Sequence, residues 1–557
     1  MNAPSLPAPA KAGVGPLYAL SVLSGLMLGF SFPPSRMGVL ACVGLVPLLA
    51  ALSRTQRLRQ GLKLSYVAML VFHVITLNWT GGYSHGNDPY MMIAGAVTMI
   101  AHPLFYFLPL GGYLLLRSWR GEATALGALP FLWVGYEYSH SLTEWSFPWL
   151  TLGNSQTYDL ARIQFITATG VYGLSLWIIV LNIFAYLALK AFLARRATDG
   201  WSPLLAWLGL LAVVYAAPSV EGTVILNRAD VTSSKGKSIT VGLIQSNIDP
   251  WDKWSKTGGE AARTYVGLTD SLLQAHPGHK PELVLWPETA LPVYLLTPGN
   301  APLLHFIQDR LTALDVSILT GIEHAEFYPD SSAAPPSARR TRFGERYDAF
   351  NAAAFLQPGV SDVPWYGKMK MVPLAERIPY ADMFAFLDFM RWGVGIGGWQ
   401  IGRDTAVFTE KKTDVRFSPL ICYESVYPGF VASFVRKGAE LITLITIDSW
   451  WGRMSGAFQH QQYAVLRAVE NRRWIARCAV GGISCYIDPY GRAEDKTELF
   501  TRAALSRTLG VTDEMTFYTV HGDWLGKLML AGAVCTLAAA AVQRILRRKE
   551  RHGREGY

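Results

Sequence analysis

The chain has 557 residues, which is too long for one ordinary domain. Hydrophobic residues make up 51% of it and charged residues only 16%, against roughly 25% in soluble domains, so the composition indicates a membrane protein. The net charge of +9 lies in short basic stretches beside apolar runs and not in a stripe interleaved with aromatic residues, which argues against a nucleic-acid partner.

Eight apolar runs are long enough, at roughly 20 residues, to span a bilayer. They cover 15–34, 37–53, 62–80, 91–116, 122–140, 170–193, 201–219 and 524–546. The first run lacks a clear small-residue cleavage site and leads straight into the second, so we interpret it as a retained span and not as a signal peptide. The runs predict a membrane domain at 1–220, a polar domain at 221–515, and a terminal span with a basic tail at 516–557.

The basic residues near these runs predict the orientation of the chain. Four clusters fall on one side of the membrane if the N-terminus is cytoplasmic, and this is the side that Lys and Arg favour. The clusters are Arg54, Arg57, Arg59 and Lys63; Arg117 and Arg120; Lys190, Arg195 and Arg196; and Arg544, Arg547, Arg548, Lys549, Arg551 and Arg554. Both termini are then cytoplasmic, and the polar domain lies outside the cytoplasm.

One loop on the outer side, at 141–169, is rich in aromatic residues. It carries FPWLTLGNSQ (147–156) and lies close to Glu137 and Trp145. We favour an aromatic belt at the membrane interface, which such residues commonly form. The alternative is a lipid-facing rim or an arm beside an active site.

The polar domain alternates short apolar runs with helical patterns. We predict strands at 242–247, 282–288, 317–323, 349–356, 416–425 and 440–448, and helices at 259–275, 300–314, 428–438 and 457–473. This alternation predicts an α/β domain, and the near-continuous apolar strands predict a sheet that is buried on its faces. The segment 325–345, rich in Ser, Ala, Pro and Arg, is predicted to be an exposed loop.

Three chemically useful residues stand where these elements end. Glu288 follows an apolar run and Pro287, Lys368 lies in the irregular stretch 366–379, and Cys422 ends the run SPLI. A carboxylate can take the proton of a thiol, and a lysine ammonium can favour the thiolate and stabilise an oxyanion. Taken singly, each residue could have a purely structural role, such as a core cysteine or a surface glutamate. Composition alone does not favour Lys368 over Lys370.

The other cysteines and the histidines carry weaker signals. Cys42 and Cys535 lie in apolar runs and are interpreted as small buried hydrophobic residues. Cys478 and Cys485 could form a disulfide in an oxidising compartment, but their spacing does not decide it. The histidines lack the spacing of metal ligands, so no metal or cofactor is predicted, and His460 is predicted to lie on a helix surface.

The residues in this order resemble the nitrilase, or carbon–nitrogen hydrolase, superfamily. The motifs are GLIQSN (242–247), LVLWPE (283–288), YGKMKMVPLAERIP (366–379), SPLICYES (418–425) and ISCYIDPYGR (483–492). That resemblance implies a four-layer αββα sandwich with a Glu–Lys–Cys triad. The spans, FSFPP (30–34) and FPWLTLGNSQ extend it over nearly the whole chain to one membrane-bound branch, the apolipoprotein N-acyltransferases.

The resemblance implies an activity and a location. In this family a Cys takes an acyl chain from a phospholipid, usually phosphatidylethanolamine, as a thioester. The chain then passes to the α-amine of a diacylglyceryl-modified N-terminal Cys of an apolipoprotein. The expected location is the bacterial inner membrane with the catalytic domain in the periplasm, and we expect a monomer.

The resemblance also implies roles for particular residues. Glu288 is then the base, Lys368 the oxyanion and orienting residue, and Cys422 the nucleophile. A supporting role falls to Glu376, Tyr423 and Glu424, and a substrate-binding role to Trp254 and Asn351. The sequence departs from the family in DSWWGRMSG (448–456), AVGGIS (479–484) and AERIP (375–379), none of which contains a triad position.

Two other functions remain open at this point. A membrane-tethered amidase or nitrilase would use the same triad to hydrolyse small amides, and a paralogue could move acyl chains to a different amine. A degenerate domain could instead act as a non-enzymatic membrane scaffold, although the presence of all three triad residues argues against it.

Overall fold

A computed structural model describes residues 14–82, 88–194, 201–229, 236–255, 257–383 and 398–555. The predicted basic residues Arg195 and Arg196 lie outside these ranges. The first part of the chain is helical. Its helices are α1 Val14–Phe30, α2 Val46–Ser53, α3 Leu58–Leu77, α4 Pro89–Ala101, α5 Phe107–Arg120, α6 Glu122–His140, α7 Ile166–Thr169, α8 Val171–Ala194 and α9 Ser202–Asn227.

The middle of the chain forms two β-sheets and their covering helices. The strands are β1 Ser238–Gln245, β2 Leu283–Leu285, β3 Leu291–Tyr294, β4 Ser317–Phe327, β5 Arg339–Arg340, β6 Arg346–Leu356, β7 Trp365–Gly367, β8 Phe408–Glu410, β9 Val415–Ile421, β10 Leu441–Thr446, β11 Ile475–Ala479, β12 Cys485–Ile487, β13 Ala493–Glu494 and β14 Ala503–Gly510. The helices are α10 Gly258–Ala275, α11 Ala301–Leu314, α12 Pro428–Arg436, α13 Ser455–Asn471 and α14 Phe517–His521. A long helix, α15 Trp524–Glu555, follows.

The two sheets pack face to face between layers of helix. The first sheet has the order β14-β1-β2-β4-β6-β5, and the second has the order β13-β12-β11-β10-β9-β8. Between them, Phe355 of the first sheet packs on Phe408 and Phe417 of the second. Helices α10 and α11 cover the first sheet and α12 and α13 the second, so the predicted αββα sandwich is confirmed.

Among the described residues, five helical stretches are long and apolar enough to cross a membrane. They are Leu58–Leu77, Pro89–Arg120, Val171–Ala194, Ser202–Asn227 and Trp524–Glu550. The first two predicted spans correspond to shorter apolar stretches, Val14–Phe30 and Gly38–Ser53, and 122–140 forms α6, which is not among the five. A membrane helical domain is confirmed, but the predicted count of eight spans is not.

Four hydrogen bonds of one side chain join the membrane domain to the sandwich. The side-chain oxygen of Gln459 in α13 accepts hydrogen bonds from the indoles of Trp79 (2.9 Å) and Trp149 (2.6 Å). The Gln459 amide donates to the carbonyl of Pro33 at 2.9 Å and to that of Thr76 at 3.0 Å. One buried side chain thus ties α13 to three separate segments of the membrane domain.

Candidate active site

The ends of three strands bring Glu288, Lys368 and Cys422 together. Glu288 follows β2, Lys368 directly follows β7, and Cys422 directly follows β9. Lys368 Nζ lies 3.1 Å from Glu288 Oε1. Glu288 and Cys422 line one small cavity. The three residues singled out from the sequence therefore form one cluster at the strand ends, where α/β folds commonly place their sites.

Lys368 is fully buried and lies between two carboxylates. Its Nζ donates to Glu376 Oε1 at 2.6 Å as well as to Glu288. Burial alone would lower the pKa of Lys368, but Glu288 and Glu376 outweigh it and hold the pKa well above its usual value. The site therefore contains a permanent cation whose position is fixed from two sides.

Glu288 is held by three donors. Its Oε1 accepts from Lys368 and from the Asn351 amide at 2.8 Å, and its Oε2 accepts from the backbone N–H of Ile447 at 3.1 Å. Behind it, the backbone runs so close to Gly321 that a Cβ there would lie 2.2 Å from the Thr289 nitrogen. The carboxylate is thus oriented by contacts from both sheets.

Cys422 occupies a strained turn. Its φ is +52°, in the left-handed region that non-glycine residues rarely adopt, and it opens the short 3₁₀ turn Cys422–Val426. Burial, and then the charge of Glu288, raise the pKa of the Cys422 thiol, while Lys368 opposes them. A raised pKa favours the neutral thiol, and the Glu288 carboxylate, which could accept its proton, lines the same cavity.

Glu424 connects this turn to the lysine segment. Its Oε1 accepts from the Tyr366 hydroxyl at 2.6 Å and from the Met369 N–H at 2.7 Å, and its Oε2 accepts from the Ile421 N–H at 2.9 Å. Burial raises the pKa of Glu424 to about 7, against these hydrogen bonds. Glu424 therefore links the segments that carry Lys368 and Cys422.

A histidine that the sequence predicted on a surface lies directly behind Cys422. His460 is only 3% exposed, and its Nε2 lies 3.1 Å from the Cys422 carbonyl oxygen and 2.9 Å from Ser425 Oγ. Its Nδ1 lies 2.9 Å from Asp448, which Arg477 also binds, at 2.8 Å. The surface prediction is wrong because α13 is covered on one side by the second sheet and on the other by the membrane domain.

Two cavities of different character meet at Cys422. The larger, of about 840 Å³, is lined mostly by apolar side chains of α4, α5 and the 141–169 loop, together with Cys422 and Tyr423. The smaller, of about 50 Å³, is lined by Cys422, by carboxylates and by tryptophans. The smaller cavity includes the predicted Trp254 and Asn351. Cys422 therefore borders a large apolar chamber on one side and, on the other, a small cavity lined by tryptophans and by the carboxylates of Glu288 and Glu376.

The segment FPWLTLGNSQ is not an interfacial belt. Trp149 is buried and stacks on Tyr423, with 6.2 Å between the ring centroids. Together with Phe147, it lines the larger cavity. The Tyr423 hydroxyl donates to the Ser146 carbonyl at 3.3 Å. The belt prediction is therefore wrong, and the alternative, an arm beside the site, fits the structure.

Lys253 is a residue that the sequence analysis missed. Its buried Nζ donates to the Glu288 carbonyl oxygen at 3.1 Å and to the Thr289 hydroxyl, and Thr289 itself has a φ of +42°. Burial lowers the pKa of Lys253 to about 7, although Glu288 and Glu323 oppose it. The only available signal was its position directly before Trp254.

Cys42 is buried as predicted, but Cys535 on α15 is exposed, so its interpretation as a buried residue is wrong. Cys478 and Cys485 are both free thiols, and Cys478 Sγ donates to the carbonyls of Ile244 and Leu285 at 3.3 and 3.2 Å. Within the described ranges, no group of three or more His, Cys, Asp or Glu side chains is placed to hold a metal ion.

Comparison with known proteins agrees with this architecture. Residues 24–184 match the family described as Apolipoprotein N-acyltransferase N-terminal domain, and residues 240–503 match Carbon-nitrogen hydrolase. Among solved structures, Nit3 of Saccharomyces cerevisiae, a member of branch 10 of the nitrilase superfamily, is 13% identical. That match covers 53% of this chain and 95% of Nit3, with a TM-score of 0.36.

Two curated relatives match over almost their whole length. The apolipoprotein N-acyltransferase of Chlorobaculum tepidum is 33% identical over 95% of this chain and 97% of the relative. That of Geobacter metallireducens is 30% identical over 96% of each chain. The chain belongs to the apolipoprotein N-acyltransferase family.

Proposed function

We propose that this protein N-acylates lipoproteins by a two-step transfer through Cys422. The donor is a membrane phospholipid, phosphatidylethanolamine foremost, and the acceptor is the α-amine of a diacylglyceryl-modified N-terminal Cys. The observation that carries the proposal is the position of Cys422 in the wall of both cavities, the large apolar chamber and the small cavity that contains the Glu288 carboxylate.

In the first step Glu288 removes the proton of the Cys422 thiol as the sulfur attacks the donor ester carbonyl. The tetrahedral oxyanion is stabilised by the Lys368 ammonium, which Glu376 and Glu288 hold in place. Collapse breaks the ester bond, and the lysophospholipid alkoxide leaves with the proton from Glu288. The raised pKa of the thiol supports this order, because a neutral thiol needs the base at the moment of attack.

In the second step the acceptor amine attacks the thioester. Glu288 takes a proton from the attacking nitrogen, the second tetrahedral intermediate collapses to the amide, and Cys422 leaves as thiolate beside Lys368. The proton then passes from Glu288 to sulfur, which restores the resting site. The smaller cavity, with Trp254 and Asn351 in its lining, is the proposed approach for the amine.

The larger cavity supports a lipid donor. Apolar residues of α4, of α5 and of the turn between them, including Ala101, Leu104 and Leu108, line this cavity and would face the acyl chain. Burial of each CH₂ is worth about 0.8 kcal/mol, so moving an acyl chain of about 16 carbons into water would cost roughly 12 kcal/mol. An apolar chamber that opens among the membrane helices avoids this cost.

The proposed setting is the bacterial inner membrane with the catalytic domain in the periplasm and both termini in the cytoplasm. The basic clusters of the loops and tail support this orientation. We propose the division into 1–220, 221–515 and 516–557 for the functional units. A monomer is proposed because one chain supplies every residue of the cluster around Cys422.

The test is to trap the acyl-enzyme. Purified full-length protein in detergent is incubated with phosphatidylethanolamine that carries a labelled acyl chain, and hydroxylamine-sensitive label on the protein is measured. We expect label on the wild type and on Cys535→Ala, a matched control that removes an exposed cysteine of α15. Cys422→Ala should carry none, and label surviving in that variant would remove Cys422 as the nucleophile.

The same preparation separates transfer from hydrolysis. Without an acceptor, a hydrolase would release labelled free acid in successive turnovers, whereas the proposed transferase stops after one acylation. Full complementation of a deletion strain by Glu288→Gln or Cys422→Ala would instead support the scaffold role.

A further inference from the structure

A third cavity lies where the membrane helices meet the sandwich, away from Cys422. It has a volume of about 580 Å³, and we call it the basic pocket; its polar lining includes Arg36, Gln156, Thr157, Asp159, Arg162 and Lys496. Among the described residues, it shares no lining residue with either cavity at Cys422. Helix α13 separates them, since His460 lines the larger cavity and Gln462, about 200° further round the helix, lines the basic pocket.

The charge of the basic pocket is positive. Three basic residues, Arg36, Arg162 and Lys496, face one carboxylate, Asp159, which Arg162 binds at 2.7 Å. Within the part of the chain that the structure describes, Arg36 and Lys496 form no ion pair within 4.0 Å. The pocket therefore has two positive charges in excess, which favours an anionic ligand.

Arg162 is fixed in place by aromatic rings. Its guanidinium lies over the ring of Tyr215 in α9 at 4.5 Å and near that of Trp177 in α8 at 5.4 Å. Arg36 lies over the ring of Tyr158 at 5.3 Å. These contacts hold the two guanidinium groups without using up their hydrogen-bond donors.

Three buried polar atoms of the lining have no hydrogen-bond partner among the described residues. They are Gln156 Oε1, Thr157 Oγ1 and Arg162 Nε, on side chains that are 2%, 1% and 8% exposed. Buried polar atoms are normally paired, and each of these exposes less than 1 Å², so a ligand in the basic pocket would reach them only after small side-chain movements. The hydroxyl of Thr157 and the N–H of Arg162 suit phosphate oxygens, and Gln156 Oε1 suits a hydroxyl.

The surroundings of the basic pocket are those of a lipid. Met37 and Val39, beside Arg36, are 50% and 51% exposed, and Val213, two residues before Tyr215, is 65% exposed. Val213 lies on α9, one of the five candidate spans, where exposed apolar side chains face acyl chains, and Met37 and Val39 lie in the turn before α2. We infer that the basic pocket binds the headgroup of an anionic phospholipid that carries hydroxyl groups, at a site distinct from the catalytic one.

The bound lipid would join the two domains. Arg36 and Arg162 belong to the membrane domain, and Lys496 belongs to the sandwich. A phosphate bound in the basic pocket would reduce the repulsion among these residues and link the domains beside α13. The lipid therefore acts as a structural ligand and takes no part in the acyl transfer.

The test measures lipid binding to delipidated full-length protein in detergent by native mass spectrometry. The probes are dioleoyl phosphatidylglycerol and dioleoyl phosphatidylethanolamine, with glycerol 3-phosphate as a soluble competitor. The variant is Arg36→Ala/Lys496→Ala, and the matched control, Arg263→Ala/Lys280→Ala, removes two exposed basic residues of the sandwich. Because the Cys422 cavity also takes phospholipid, the readout is the difference between variant and wild type.

We expect the double variant to bind phosphatidylglycerol about 30-fold more weakly than wild type, which corresponds to roughly 1 kcal/mol for each basic residue. The control should bind like wild type, and phosphatidylethanolamine binding should change little in both. Equal loss in the control, or unchanged phosphatidylglycerol binding in the double variant, would overturn the inference. So would complete competition by equimolar glycerol 3-phosphate, which would make the ligand a free phosphate ester.

The outcome is independent of the proposed function. We expect the double variant to form the Cys422 thioester at the wild-type rate, because neither residue lines a cavity that reaches Cys422. A protein without any thioester but with selective binding of phosphatidylglycerol would refute the transferase and retain the basic pocket.

Discussion

Gly321→Ala should damage the site without changing any of its side chains. A Cβ at Gly321 would lie 2.2 Å from the Thr289 nitrogen and 2.6 Å from both the Glu288 carbonyl carbon and the Pro287 oxygen. Ordinary contact begins at 3.4 Å, so the backbone that carries Glu288 has to move by about 1 Å. Backbone atoms cannot rotate aside as a flexible side chain can.

The size of the effect follows from the contacts that Glu288 makes. A displacement of this size breaks the 2.8 Å hydrogen bond from Asn351 and the 3.1 Å contact with Lys368. Misplacement of a reacting group by 1 Å can cost about 100-fold in rate. We also expect a loss of stability of about 1–3 kcal/mol, the usual cost of overpacking.

The assay is the single-turnover rate of thioester formation, normalised to the folded fraction of each preparation. Gly267→Ala in α10 is the matched control, since a Cβ there meets nothing within 4 Å and alanine favours helix. The control should acylate at the wild-type rate. Wild-type acylation by folded Gly321→Ala would refute the claim that Glu288 must be held in this geometry.

Three further predictions concern other parts of the site. Ala101→Trp narrows the larger cavity and should shift donor preference toward shorter acyl chains. In competition assays with mixed donors, we expect the relative rate for a donor to fall about fourfold for each CH₂ that the cavity no longer holds. An unchanged chain-length profile would mean that the acyl chain lies elsewhere. His460→Gln removes the contact between His460 Nε2 and the Cys422 carbonyl oxygen and should slow thioester formation about fivefold, which is the cost of one hydrogen bond. An unchanged rate would show that the turn at Cys422 needs no such support. Lys253 has a folded pKa of about 7, below its usual 10.5, so the unfolded chain binds more protons between these values and stability should rise with pH across this window. Lys253→Met should flatten this rise in thermal unfolding measured from pH 6.5 to 9, and a rise of equal slope in the variant would contradict the assignment.

Much of the sandwich could be predicted because its strands have a clear sequence pattern. The runs that end at Glu288 and Cys422 are short and apolar, and each is followed by a residue or turn that cannot continue the strand. The packing of the two sheets brings the ends of β2, β7 and β9, and with them Glu288, Lys368 and Cys422, to one place. Lys368 is different, because Lys370 stands in the same irregular stretch. The structure distinguishes them, since Lys368 is fully buried between carboxylates, whereas Lys370 lies over the rings of Tyr427 and Phe430.

The errors arise where burial depends on the other domain. Helix α13 carries polar residues on every side, including Gln459 and His460, and such a pattern is typical of a surface helix. Its polar groups are instead paired with indoles of the membrane domain and with Asp448. The aromatic arm at 147–156 is buried for the same reason. The sequence of α13, or of residues 147–156, does not by itself indicate which part of the other domain covers it.

The most direct test of the account is a chase of the preformed acyl-enzyme. Protein labelled at Cys422 from phosphatidylethanolamine is separated from donor and mixed with a diacylglyceryl-modified N-terminal cysteine peptide, and the label is followed by mass spectrometry. We predict that the label leaves Cys422 and enters the peptide as a hydroxylamine-stable amide, one chain for each thioester lost. Label that leaves as free fatty acid, or that stays on the protein while the peptide is acylated directly, would contradict a transfer through Cys422.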